Sequence, residues 1–132
     1  MDKFIVDTSV WIDFFHDKLK ESICQNLIIG IENEQAVITD IIMHELVMGT
    51  QTKKQFKHMI DLFSPMTKLR ISDDEQENYN EFSWKTFRKG LPGKYTDLTI
   101  AYLSSKYKYP VLSFDQYFYK LAKSGFIKVI NL

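Results

Sequence analysis

Four acids in this sequence stand where their carboxylates could act together: Asp7, Glu45, Asp97 and Asp115. Asp7 ends the apolar run Phe4-Ile5-Val6 and is followed by Thr8, Ser9 and then Val10-Trp11-Ile12. Such a run favours a short buried strand, and Thr8 or Ser9 suits the cap of a helix starting immediately after it. Asp115 follows Val111-Leu112-Ser113, a second strand-like run. Asp97 comes just after Thr96 at the start of a helical pattern, and Glu45 shares the apolar stripe of Ile41, Ile42, Leu46 and Gly49. Each acid also has a plain explanation when taken alone. Asp97 suits a helix start, where the dipole favours negative charge, Asp115 is a good N-cap, and a rotated helix would turn Glu45 to solvent.

Together they mean more. Carboxylates gathered at one place repel one another, so such a cluster either holds protons through raised pKa values or is neutralised by cations. Oxygen-only donors suit Mg²⁺ or Mn²⁺. A site of that kind activates water and stabilises a leaving oxygen, which is the chemistry of phosphodiester hydrolysis by in-line attack.

Positioning those acids requires an alternating fold. Strands are expected at 4–6, 36–39, 68–71, 111–113 and 127–130. Helices are expected from Lys18 to a stop at Gly30, from Ile41 to Met48, over 52–63, from the Ser72–Glu75 capping box to about Arg88, from Thr96 to Tyr107, and after Asp115. Strands alternating with helices imply βαβ units. The expectation is therefore a single α/β domain over 1–132, a three-layer sandwich with a mainly parallel sheet of about five strands. In a parallel sheet, Asp7, Glu45, Asp97 and Asp115 all belong to the edge formed by the strands' carboxyl ends, where open α/β sheets bind ligands.

Composition narrows the class. Seventeen basic and seventeen acidic residues cancel, and 45% of the chain is hydrophobic. No global field attracts nucleic acid, so such a partner must be held locally. The single cysteine, Cys24, excludes an intrachain disulfide and a four-cysteine zinc site. There is no basic, apolar leader and no apolar run approaching the ~20 residues of a membrane span, so a cytoplasmic protein without membrane attachment is expected. His16, His44 and His58 have no zinc-like spacing, and the few glycines form no phosphate-binding loop. Lys85, Arg88, Lys89 and Lys94 precede Asp97 and suit either contacts to an RNA backbone or a solvated helix end. Trp11, Phe14, Phe15 and the Phe56/Met59/Ile60/Phe63 stripe exceed what one small core needs, so part of them is expected on a partner-binding surface.

Val6-Asp7-Thr8-Ser9-Val10-Trp11-Ile12, Glu45 after strand two, Thr96-Asp97-Leu98-Thr99-Ile100-Ala101 and Leu112-Ser113-Phe114-Asp115 resemble the four acidic motifs of the PIN-domain nucleases. The similarity is greatest to the VapC-type toxins of toxin–antitoxin pairs and covers nearly the whole chain. It implies an Mg²⁺- or Mn²⁺-dependent endoribonuclease with Asp7, Glu45, Asp97 and Asp115 as catalytic, metal-binding residues. It also implies Ser9 and Ser113 as hydroxyls lining the site, RNA as substrate, a cognate antitoxin as inhibitor, and a homodimer. Tyr117 stands where the family often carries a further acid, which leaves the choice between one and two metal ions open. The rival readings are a PIN-type RNA-processing nuclease without an antitoxin, and a non-catalytic α/β binding or signalling module such as a phospho-acceptor receiver. A receiver calls for paired acids after strand one, whereas Asp7 is followed by Thr8.

Overall fold

The computed structural model describes residues 2–131. Its elements run β1 (Phe4–Val6), α1 (Thr8–Phe15), α2 (Glu21–Glu32), β2 (Ala36–Thr39), α3 (Asp40–Met48), α4 (Lys53–Phe63) and β3 (Lys68–Leu69). They continue with a 3-10 turn (Asp73–Glu75), α5 (Gln76–Arg88), α6 (Tyr95–Tyr107), β4 (Val111–Leu112) and α7 (Gln116–Lys123). The sheet is four-stranded and parallel, in the order β3-β2-β1-β4. Ile5 stands opposite Val37 on one side and Val111 on the other, so β1 is central. The order runs from β1 through β2 to β3 in one direction and places β4 on the other side of β1. The gap between the ends of β1 and β4 is thus the switch point of the sheet, where a crevice is expected.

The α/β class and parallel sheet are as expected, with one strand fewer. Residues 127–130 contribute a single parallel bridge, Val111 to Val129, with the Val111 amide donating to the Lys128 carbonyl and the Ile130 amide to that of Val111. β4 is only two residues long, and a longer ladder has no partner to run along.

Gly30 departs from its expected role. It lies inside α2, two residues before the helix ends, and a Cβ there would come within 2.6 Å of Phe4 Cζ. This glycine lets α2 approach the first strand closely. The other boundaries follow local chemistry. Thr39 caps α3 by accepting from the Ile42 amide, Thr52 caps α4 through the Gln55 amide, and the Ser72–Glu75 capping box is present.

Trp11, expected among residues with surface to spare, is fully buried, its indole packed edge-on against Phe63 at 4.8 Å between centroids. Ile5, Val6, Val37, Ile38, Ile42, Ile100, Leu103 and Phe118 complete the centre of the core. Among the described residues, no helix is long and apolar enough to cross a membrane.

Candidate active site

Asp7 is both the last word of β1 and the cap of α1. Its Oδ1 accepts from the Thr8 amide at 2.8 Å, so the cap is Asp7 itself and not Thr8 or Ser9. Its Oδ2 accepts from the Ser113 hydroxyl at 2.7 Å, across from β1 to the end of β4. Ser113 Oγ in turn accepts from the Asp115 amide at 2.9 Å, and Asp115 Oδ1 caps α7 by accepting from the Tyr117 amide at 2.9 Å. One buried serine therefore ties two acids of the switch point together.

The remaining two acids come from helices. Glu45 lies midway along α3 and its Oε1 accepts from the Thr8 hydroxyl at 2.8 Å. It is exposed, as an outward rotation of α3 requires, yet it faces the same cleft, because α3 starts at the carboxyl end of β2. Asp97 lies in the first turn of α6, which returns toward β4 and so begins at that edge of the sheet. Asp7, Glu45, Asp97 and Asp115 all line one open cleft of about 490 Å³, with Thr8, Ser9, Lys94, Thr96 and Phe114.

The acids sense one another. Burial, the largest cause, raises the pKa of Asp7, and the charges of Asp115 and Glu45 raise it further, against the hydrogen bonds from Ser113 and Thr8. Asp97 is pushed up to about 6, first by burial, then by Asp7 and Asp115, with Lys94 opposing. Such repulsion is what a bound cation relieves. Among the described residues, no three His, Cys, Asp or Glu side chains close on one point as a ready-made metal shell. The acids instead line the walls of the cleft. That spacing fits a small hard cation that keeps several waters and takes one or two carboxylates directly, the habit of Mg²⁺.

Other expected contributors divide. Ser113 is buried at the centre of the network, whereas Ser9 lines the cleft, exposed, with no side-chain hydrogen bond among the described residues. Lys94 is in the cleft itself. Lys85, paired with Glu81 at 3.3 Å, lies with Arg88 and Lys89 on α5 or at its end, outside the cleft lining.

Two contributors had no visible assignment in the sequence. Thr8 read as a cap, and its hydroxyl instead orients Glu45. Tyr117 read as a missing acid. Its hydroxyl donates to the Leu91 carbonyl at 3.0 Å, and a Cβ at Gly93 would run into that hydroxyl, so the tyrosine pins the loop entering α6.

Beside the cleft lies a larger groove of about 810 Å³ between α1, α3 and α4, with an apolar stretch bordered by His16, Gln51, Gln55 and His58. Ile12, Phe15, Leu46, Met59 and Leu62 line it, and Ile12 and Glu45 belong to both depressions.

A family model described as PIN domain matches residues 4–124. No curated protein matches the sequence significantly. Among solved structures, the VapBC2 complex from Rickettsia felis, bound to a DNA fragment from its promoter, is similar with a TM-score of 0.75 at 20% identity, over 98% of each chain. DNA-bound VapBC from Salmonella typhimurium gives 0.72 at 17% identity, again over 98% of each chain. VapBC-5 from Mycobacterium tuberculosis gives 0.68 at 20% identity over 100% of both chains. At these identities the likeness is one of fold.

Proposed function

The chain belongs to the PIN domain family, and from that premise we propose that it is an Mg²⁺- or Mn²⁺-dependent endoribonuclease, a toxin held in check by a cognate antitoxin. The observation that carries the reading is the cleft at the switch point of the sheet, with Asp7, Glu45, Asp97 and Asp115 along it and the pKa of Asp97 raised to about 6. Four carboxylates on one concave surface cost stability unless they serve to hold a cation.

In this reading Asp7, Glu45, Asp97 and Asp115 would hold the ion, one or two of them directly and the others through its waters. Bound there, Mg²⁺ or Mn²⁺ would supply charge neutralisation for the acids and the phosphate and would make a water a stronger nucleophile near neutral pH. The protein's own share is positioning. Both oxygens of Asp7 have donors, Ser113 and the Thr8 amide, which fix its plane. The Thr8 hydroxyl holds Glu45 by one oxygen. Lys94, in the same lining, suits a phosphate of the RNA chain. The oxygen of water would bond to phosphorus as the water gives up a proton, the bond from phosphorus to the leaving oxygen would break, and that oxygen would take up a proton, so that one strand becomes two.

The apolar stretch of the groove beside the cleft supports an antitoxin. A partner segment lying over Ile12, Phe15, Met59 and Leu62 would reach Glu45, which the two depressions share. The similar structures from Rickettsia felis and Salmonella typhimurium are VapBC complexes. This groove favours the toxin over an RNA-processing nuclease without an inhibitor. The reading includes a homodimer.

The test is RNA cleavage by the purified chain with Mg²⁺ or Mn²⁺ and with EDTA. Cleavage is expected only with the metals, and Asp7→Asn and Asp97→Asn are expected to abolish it while circular dichroism stays unchanged. Undiminished cleavage in EDTA, or by both variants, overturns the mechanism. Inhibition by the co-expressed product of the adjacent reading frame tests the antitoxin.

A further inference from the structure

Between Glu81 and Asp97 the sequence contains no acid and four cations, Lys85, Arg88, Lys89 and Lys94, in a chain whose net charge is zero. The same stretch exposes its large rings: Trp84 is 61% exposed, Phe87 62% and Tyr95 62%. The other tryptophan, Trp11, is wholly buried, so the exposure of Trp84 is not the chain's habit with indoles. Trp84 and Phe87 stand at i and i+3 on α5 and share a face. Arg88 presents its guanidinium 6.0 Å from the Trp84 ring centroid, so a flat cation and a flat ring are offered together. Among the described residues, Arg88, Lys89 and Lys94 enter no ion pair.

This surface leads into the acidic cleft. Lys94 lines the cleft, and Tyr95 opens the helix that carries Asp97. The Tyr117 hydrogen bond to Leu91 ties the loop between α5 and α6 to α7, whose cap, Asp115, lines the cleft.

A purely apolar face would suit a second protein. Rings interleaved with cations suit a strand whose phosphates meet lysine and arginine while its bases lie flat on aromatic faces. An RNA duplex keeps its base faces stacked internally and offers none to a side chain.

We propose that Trp84 and Phe87, flanked by Arg88, Lys89 and Lys94, form a stacking platform for unpaired bases of a single-stranded RNA segment running into the acidic cleft. This rests on the endoribonuclease reading above and adds a binding surface outside the cleft.

The test uses the full chain carrying Asp97→Asn, so that the RNA is not consumed, in Mg²⁺. It measures affinity for a labelled single strand of about twelve nucleotides, within the usual span of a single-strand site, and for the same strand annealed to its complement. The single strand is expected to quench Trp84 fluorescence. Trp84→Ala and Phe87→Ala are each expected to weaken single-strand binding at least about fivefold. Trp84→Phe is expected to keep most of it, and none of the three to change duplex binding. Equal single-strand affinity in both alanine variants overturns the platform. Unchanged RNA affinity with a shifted monomer–dimer balance in sedimentation also overturns it and gives the face to a second copy of the chain. If the unsubstituted surface binds neither RNA form, the endoribonuclease reading falls and the platform falls with it. If it binds RNA and the alanine variants do not matter, the platform alone falls.

Discussion

The Thr8 hydroxyl donates to Glu45 Oε1 at 2.8 Å and so joins the turn after β1 to the middle of α3. Glu45 is exposed, and nothing else among the described residues donates to it. Its direction in the cleft therefore depends on one hydroxyl. Thr8→Val keeps the shape and removes the donor. Cleavage is expected to fall about 10- to 100-fold, the usual effect of losing a group that orients a ligand. Little change in the melting temperature is expected, because an exposed hydrogen bond contributes little net stability. A single-turnover assay beside a melting curve checks both, and a fully active Thr8→Val chain would show that Glu45 needs no orienting partner.

The crowding of acids predicts an unusual pH dependence. Asp97 is raised from 3.8 to about 6 in the fold, so the folded chain binds protons more tightly there than the unfolded one. The sign follows from linkage: in EDTA this group's stabilising contribution is complete below about pH 4 and is lost as pH rises through about 6. Asp97→Asn should remove that loss and raise the melting temperature in EDTA at pH 7 by about 2 to 5 °C. Mg²⁺ should stabilise the unsubstituted chain more at pH 7.5 than at pH 5, since at the lower pH it must displace a proton. Calorimetry at both pH values decides it. A flat profile in EDTA would mean that neither burial nor the neighbouring acids raise Asp97 in the folded chain.

Tyr117 and Gly93 form a lock on the loop entering α6. Tyr117→Phe loses the bond to the Leu91 carbonyl and should cost about 1 kcal/mol. Gly93→Ala drives a methyl group into the same hydroxyl, so the loop and the Lys94–Asp97 segment must shift. Its cost to cleavage should exceed its cost to stability. The double variant Gly93→Ala/Tyr117→Phe should recover only a small part of the activity, because the phenylalanine removes the nearest atom the methyl meets but keeps the ring carbons at 2.7 and 2.9 Å. Absence of any recovery would place the fault elsewhere in the loop.

Gly30→Ala tests packing far from the site. The added Cβ comes within 2.6 Å of the Phe4 ring, and overpacking of this kind costs about 1–3 kcal/mol. Denaturant unfolding should show that loss, while cleavage below the melting transition stays near that of the unsubstituted chain.

Local signals carried much of this fold. Phe4–Val6 and Ala36–Thr39 are short, apolar and closely bounded, and both are strands; Thr39, Thr52 and the Ser72–Glu75 pair mark helix starts through contacts made within a few residues. Long-range causes were hidden. Gly30, near the end of the helical pattern of Leu19, Ile23, Leu27, Ile28 and Ile31, reads as a helix stop, because nothing nearby announces a Phe4 ring lying against the helix. Ile127–Ile130 has the pattern of a strand, but its length is set by a two-residue β4. The same division holds at the site. The types and order of the four acids were readable from their neighbours, and the sheet order brings them to one cleft. The roles of Thr8 and Tyr117 depend on where another helix or loop happens to pass.

The Ser113–Asp7 hydrogen bond joins residues 106 positions apart. Its consequence lies in time. A growing chain that has released β1, β2 and even Asp97 from the ribosome still lacks the strand and the serine that complete the switch point. The cleft forms only once β4 has been made and has found the open side of β1, a pairing of the kind that is slow to form. Until then Asp7 lacks its Ser113 donor, and the four acids have no common cleft to line.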